Sequence, residues 1–338
     1  MSQGRSNLKL IHFFLLLGTL IMVFPFFWMI STAFKSEIEV LQVPPLVLPG
    51  IKHYLMQQNE FGQEEEIQVE IISKNEAFNR SRINPAEQTL KVRVLFGKEK
   101  GEEKNVLISD LRDRTFLWGN FSKAWNLQPF NMYFLNSFIV ALTVTIFQLL
   151  SSSLCAYAFA FMRFPYKETI FMVLLGTMMI PQQALLIPNF VILANLEWVN
   201  TYKALIIPWL ASVFGIFFLR QFFRQLPKEL YEAAIIDGCS RFGFFWRILL
   251  PLSIPPLTTI GIFTFLGSWN SFLWPLMVTN DETLRVIEVG LSYFNQAEGT
   301  QYELLMAAST FCVMPLVIVY FFLQKQFIAS VASTGMKD

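Results

Sequence analysis

Residues 231–255 read YEAAIIDGCSRFGFFWRILLPLSIP and run from the gap after one uncharged apolar stretch, 204–219, into the next, 248–280. A plain turn would join two such stretches. This segment instead sets Glu232-Ala233-Ala234, then Asp237-Gly238, then an aromatic group at Phe242, Phe244, Phe245 and Trp246, then Leu250-Pro251. Pro227 stands just upstream, where a helix can start because the first turn leaves its N–H groups unpaired anyway. Glu229 and Glu232 follow in the first turns, which suits the helix dipole. Gly238 can end the helix in the left-handed conformation of a C-cap. Ser240 is placed to cap a second short helix over 241–250 that carries the aromatic residues. A helix–turn–helix on a membrane surface is therefore predicted. Ala234 and Gly238, four residues apart, are expected to share a face from which nothing projects, so that a foreign backbone can approach closely. An amphipathic helix resting on lipid is the alternative, and it leaves the bare Ala/Gly face unexplained.

The surroundings are those of a membrane protein. The 338 residues are 54% hydrophobic and 15% charged, with 36 Phe, where soluble domains carry about 25% charged residues. Runs free of Asp, Glu, Lys and Arg occupy 134–162, 169–194, 204–219, 248–280 and 304–324. They meet the need of roughly 20 apolar residues for a spanning helix. A further run, 10–34, has His12 as its one titratable group and no small-residue cleavage site, so an uncleaved first span is expected rather than a signal peptide. Lys and Arg cluster in one set of short connections, at Arg5, Lys9, Arg163, Lys167, within 220–247, and at Lys325 and Lys337. The opposite set holds Lys203 and Arg285. This asymmetry predicts cytoplasmic termini and a cytoplasmic 220–250 loop. The net charge of +1 gives no reason to expect a nucleic-acid partner.

The expected organisation is an N-terminal part, 1–50, with the first span and a Pro-rich extended exit; an extracytoplasmic insertion, 51–118; and the remaining five spans, 119–338. In the insertion, strand formers recur at 66–72, 90–96 and 105–109 between charged turns, predicting a small β-rich domain. Either a solvated decoration or a docking role fits it. Asn79 and Asn120 open N-x-S triplets, and chance explains both better than glycosylation does. Residues 116–133 are aromatic and amphipathic, as suits an interfacial segment. In the third span, Pro181 and Pro188 interrupt IPQQALLIPNF. Such breaks mark either a packing kink or a pathway whose water or neighbours satisfy the freed carbonyls.

Several chemistries are missing from the sequence. There is no phosphate-binding G-x-x-x-x-G-K, no H-E-x-x-H, and His12 and His53 are too few for an imidazole metal site. Cys155, Cys239 and Cys312 form no C-x-x-C and suggest neither a disulfide nor a metal. No catalytic residue, metal ligand or cofactor is expected in this chain. The later spans lack the charged residues that ion coupling generally uses. An ion-coupled secondary transporter and a membrane-embedded enzyme are thus disfavoured alternatives, and energy for uphill transport is expected from another subunit.

The stretch 226–255, with Glu232-Ala-Ala, Asp237-Gly and Leu250-Pro at their spacings, resembles the EAA loop of binding-protein-dependent ABC importer permeases. Met179-Ile-Pro, the run 200–208, Phe218-Leu-Arg-Gln-Phe-Phe, the run 267–276 and the tail from Ala332 are similar to the second permease of maltose-type carbohydrate importers. The resemblance covers about 5–50 and 116–338. It implies an all-α polytopic protein with six transmembrane helices of the type I ABC importer fold, in a bacterial cytoplasmic (inner) membrane, with the β-rich insertion between helices 1 and 2. It also implies a second related permease, two ATP-binding cassette subunits that hold ATP and Mg, an extracytoplasmic sugar-binding protein and contact with lipid. On this resemblance Glu232, Ala233, Ala234, Asp237 and Gly238 are assigned to ATPase coupling, and Ser333, Thr334, Gly335 and Met336 to tail contacts between the ATPases. Trp269, Asn270 and Phe272 are assigned to the sugar pathway, where a flat apolar face beside an amide suits a sugar's CH face and hydroxyls. Interhelical packing is the other use of such a pair. The insertion departs from the maltose pattern, which places its large external domain in the other permease.

Overall fold

Helix α1 (Ser2–Ala33) carries the first apolar run, and Pro25 lies inside it. The computed structural model describes residues 2–41, 44–58, 64–74, 89–95, 99–107, 110–296 and 299–335. Two compact units emerge, Met1–Ala124 with Gln296–Thr310, and Trp125–Asn295 with Phe311–Asp338.

In the first unit the exit from α1 is not simply extended. Ser36-Glu37-Ile38-Glu39 forms a capping-box turn in which the Ser36 N–H donates to Glu39 Oε2 at 2.9 Å, and the short helix α2 (Glu37–Leu41) follows. Glu39 also accepts from the Gly50 N–H at 2.7 Å and pairs with Lys52 Nζ at 2.8 Å. Lys52 is buried, and its ammonium also donates to the Thr115 carbonyl at 2.8 Å. One buried carboxylate thus ties the α1 exit to the start of the insertion. Phe34 packs edge-on against Phe116 and Trp118, at 5.4 and 4.7 Å between ring centroids.

The insertion is a five-stranded antiparallel sheet in the order β4-β3-β2-β1-β5, built from β1 (Lys52–Gln58), β2 (Glu64–Lys74), β3 (Thr89–Val94), β4 (Glu103–Leu107) and β5 (Leu111–Arg114). Leu55, Val69, Val92, Val94 and Val106 form its core, with Ile67, Ile71 and Leu111 packed against them. Ion pairs line the opposite face, Arg114–Glu66 at 2.7 Å, Lys91–Glu103 at 2.6 Å and Arg93–Glu103 at 3.0 Å. The β content expected of the insertion is present. β1 and β5 were not expected, because neither KHYLMQQ nor LRDR alternates apolar and polar residues; β1 pairs with both β2 and β5. Asn120 opens α3 (Gly119–Leu127) and is buried, its amide donating to the Ala33 and Lys35 carbonyls at 2.9 and 2.8 Å, so it offers no glycosylation site. Asn79 lies outside the described residues.

The second unit is helical and arranged along α4 (Phe130–Phe161). The third run splits into α5 (Lys167–Thr177) and, after a 3₁₀ turn at Gln182–Leu185, α6 (Leu186–Asn195), with a bend of 90°. Pro181 begins the 3₁₀ turn, as a residue without an N–H can. The fourth run comprises α7 (Tyr202–Ile206) and α8 (Val213–Gln225), interrupted over 207–212. α4 supplies the partners for that interruption: Gln148 Nε2 donates to the Trp209 carbonyl at 3.0 Å, and Ser151 Oγ to the Leu210 carbonyl at 2.6 Å. Non-helical backbone at membrane depth needs such partners.

Then come α9 (Lys228–Ile236), α10 (Arg241–Phe244), a π-helical turn over Phe245–Leu249, α11 (Leu250–Leu252) and α12 (Ile254–Trp269), with a bend of 78° before α12. α12 and α8 both pack along α4. α13 (Leu273–Val278) and α14 (Ile287–Ser292) follow. The last helix, α15 (Tyr302–Gly335), holds Pro315 inside it. Among the described residues four helices are long and apolar enough to cross a membrane, and each of the two bent pairs passes the same test when taken together.

Candidate functional site

The α9 turn is constructed largely as its sequence predicts. Pro227 precedes the helix and Glu229 occupies its first turn. Gly238 sits at φ +80°, with its N–H bonded to the Ile235 carbonyl at 3.0 Å and the Cys239 N–H to the Ala234 carbonyl at 2.9 Å. Those two bonds make a Schellman C-cap. Ser240 Oγ then accepts from the Gly243 N–H at 3.0 Å and starts α10.

The two faces of α9 differ in character. Tyr231 and Ala234 turn inward, Ala234 buried in a cluster with Tyr157, Phe223, Phe244 and Phe245. The Tyr231 ring meets Phe244 at 5.0 Å and Phe161 at 5.4 Å, and Tyr157 Oη donates to the Arg241 carbonyl at 2.9 Å. Glu229, Glu232, Ala233 and Ile236 follow the i, i+3, i+4, i+7 spacing of a single helix face and are all exposed, Ile236 to 85%. This corrects the expected smooth face. Ala234 is small because the chain's own aromatic cluster lies against it, and Gly238 lies past the helix end with open space around it. Asp237 is exposed at the C-cap. Glu232 and Ala233 remain on the open surface, joined there by Ile236, which the sequence reading missed although it continues the same spacing.

Of the tail residues, Ser333, Thr334 and Gly335 continue α15, and Met336 lies outside the described residues.

A cavity of about 560 Å³ opens in the second unit among α4, the broken third and fourth runs, and the end of α12. Asn270 and Phe272 line it, at the non-helical break between α12 and α13. Trp269 does not. It is 1% exposed, its indole N–H donates to the Cys312 carbonyl at 3.1 Å, and its ring stacks on Phe265 and meets Phe134 edge-on. Trp269 therefore anchors the helix packing, the second of the two uses open to it. Gln148, Gln182 and Gln183 also line the cavity and went unassigned. Their signal was an amide inside an otherwise apolar run. Gln148 Oε1 accepts from Thr264 Oγ1, which fixes that amide, while Gln182, Gln183 and Asn270 are exposed. Among the described residues no group of three or more His, Cys, Asp or Glu side chains gathers to hold a metal.

Residues 148–333 match the family described as binding-protein-dependent transport system inner membrane component. The chain is 38% identical over 205 residues to the arabinooligosaccharides transport system permease protein AraQ of Halalkalibacterium halodurans, covering 61% of this chain and 74% of that one. It is 36% identical over 220 residues to the sn-glycerol-3-phosphate transport system permease protein UgpE of Yersinia pestis, covering 63% and 78%. A solved bacterial ABC transporter involved in the import of the acidic polysaccharide alginate shares the fold at a TM-score of 0.66 and 17% identity, over 96% of each chain. The chain thus belongs to the binding-protein-dependent transport system inner membrane components, the non-catalytic permease subunits of ABC importers.

Proposed function

We propose that this chain is one of two permease subunits of an ATP-driven sugar importer and that it couples to its ATPases through α9. The relatives named for arabinooligosaccharide and sn-glycerol-3-phosphate transport support a sugar or sugar-like solute. The observation that carries the coupling reading is the exposed row Glu229, Glu232, Ala233 and Ile236, backed by a rigid aromatic cluster. Leu230 and Ile235, each about two-fifths exposed, join Ile236 at 85% to give α9 a cluster of open apolar surface suited to a partner. Behind it, Tyr231 and Ala234 bear on α4 through Tyr157 and Phe161, and α10 continues through the π-helical turn into α12. A push on the outer face is thereby delivered to two of the helices that line the cavity, as alternating access requires.

In this reading the four long helices and two bent pairs make six spans, with both termini in the cytoplasm. A second permease completes the pathway, two ATPase subunits bind ATP and Mg beneath it, and an external sugar-binding protein delivers the solute. Residues 1–50, 51–118 and 119–338 are the entry span, the outer domain and the permease body. Ser333, Thr334, Gly335 and Met336 reach the ATPases, and the 51–118 sheet contacts the receptor or the companion's outer loops.

The test is gentle detergent purification of the chain from its native membrane, with mass spectrometry of what accompanies it. A second permease and an ATPase are expected. Ile236→Asp is expected to lower ATPase recovery at least tenfold while the companion permease stays bound. A chain that transports alone, or ATPase recovery unchanged in Ile236→Asp, would refute the coupling role.

A further inference from the structure

The buried Glu39–Lys52 pair of the first unit and the Arg220–Glu168 pair between α8 and α5 hold elements together, whereas the cavity is open and lined by polar groups. We infer that this subunit's half of the route takes an uncharged, hydroxyl-rich solute and excludes phosphorylated or carboxylated ones, an inference that rests on the importer reading above.

The lining comprises twenty residues, and none is Asp, Glu, Lys, Arg or His. Its polar members are amides and hydroxyls, chiefly Gln148, Gln182, Gln183, Asn270, Ser137 and Thr264. Gln148 is engaged with the Trp209 carbonyl and with Thr264, and Ser137 with the Ile287 N–H, while the exposed amides of Gln182, Gln183 and Asn270 offer both donors and an acceptor and match a sugar hydroxyl in either sense. A carboxylate or phosphate only accepts, so it can use the N–H and O–H donors of this lining but not its acceptors, and it finds no cation there to offset the water it gives up. The apolar share includes the aromatic rings of Trp209 and Phe272, suited to a CH face. The cavity volume of about 560 Å³ falls within the ~300–1,000 Å³ usual for small-molecule sites.

The cations nearest in sequence lie outside the lining. Lys203 places its ammonium 5.8 Å from the centre of the Trp198 ring. Arg285, next to the lining residue Val286, stacks its guanidinium 4.8 Å from the Tyr293 ring and pairs with Glu282 at 3.4 Å. Neither lines the cavity, and no charge in the lining invites an anion. Asn270 and Gln183, both exposed members of the lining, are the specificity-determining residues.

The experiment uses the complete importer with its receptor in proteoliposomes, ATP inside. Outside is a mixture of neutral pentose and hexose oligosaccharides, uronate oligosaccharides and sn-glycerol 3-phosphate. Mass spectrometry of the lumen reads what entered. Neutral saccharides alone are expected to accumulate, and Asn270→Ala and Gln183→Ala to raise the half-saturating concentration about tenfold each, the loss of roughly one good hydrogen bond. Accumulation of an anionic species at a comparable rate overturns the inference and leaves the importer reading standing. Neutral uptake with half-saturation unchanged in both variants also overturns it, since the cavity would then not select. No ATP-dependent accumulation of any species overturns the importer reading, and this inference with it.

Discussion

Arg220 Nη2 meets both carboxylate oxygens of Glu168 at 2.7 Å, joining α8 to the first turn of α5. The two ends of the pair are unlike, because the Arg220 side chain is 4% exposed and that of Glu168 64%. Arg220 also lies 3.8 Å from the centre of the Phe171 ring and donates from Nε to the Phe159 carbonyl at 3.4 Å. Arg220 therefore connects three helices, and Glu168 only caps the arrangement.

Removing the two partners is expected to cost different amounts. Glu168→Ala removes a mostly exposed carboxylate but leaves the buried Arg220 guanidinium without its counter-charge, and should destabilise by about 1–2 kcal/mol. Arg220→Ala also removes the stacking on Phe171 and leaves a buried carbonyl unpaired, for roughly 2–4 kcal/mol. Arg220→Lys should recover little, since an ammonium has no plane to lay on a ring. Thermal unfolding of the purified complex in detergent measures all three, and equal costs for Glu168→Ala and Arg220→Ala would contradict the asymmetry.

Gly238 tests the backbone of the α9–α10 turn rather than its surface. A Cβ there would meet nothing within 4 Å, yet φ is +80°. The expected ranking is therefore conformational: Gly238→Asn is tolerated, Gly238→Ala costs about 1 kcal/mol, and Gly238→Val more. ATP-driven uptake in proteoliposomes should fall in that order. Equal loss in all three variants would show that side-chain bulk, not φ, is what the site rejects.

Trp269 is expected to behave as core. Trp269→Ala should cost roughly 3–5 kcal/mol. Trp269→Phe keeps much of the packing but leaves the Cys312 carbonyl without its donor, for about 1–2 kcal/mol. Solute half-saturation in Trp269→Phe should stay at the parent value, in contrast to Asn270→Ala; a matching rise in both would return Trp269 to the pathway.

Glu103 gives the outer sheet a pH dependence. Hydrogen bonds from Lys91, then Arg93, hold its carboxyl below the usual range. A lowered folded pKa means that the contribution is present above the unfolded carboxylate pKa and is lost as pH falls through the folded value. Amide exchange in β4, corrected for intrinsic rate, should therefore quicken on acidification past the carboxylate range, and Glu103→Gln should remove that dependence.

Local rules carried much of this protein in its sequence. Apolar runs of spanning length marked the membrane helices, because lipid demands a long uncharged surface whatever the neighbours are. Pro227, Gly238 and Ser240 punctuated the α9–α10 turn correctly because capping depends on a few adjacent backbone groups. Tertiary structure decided which face of that helix is open. Tyr157, Phe161 and Phe244, remote from Ala234 in the chain or across the turn from it, cover one side and leave Ile236 on the other. It also decided that Trp269 is buried against Phe134, Phe265 and Cys312 while its neighbour Asn270 lines a cavity. Two adjacent residues at a helix end point in different directions, and only the packing of distant segments determines which one meets protein and which meets solvent.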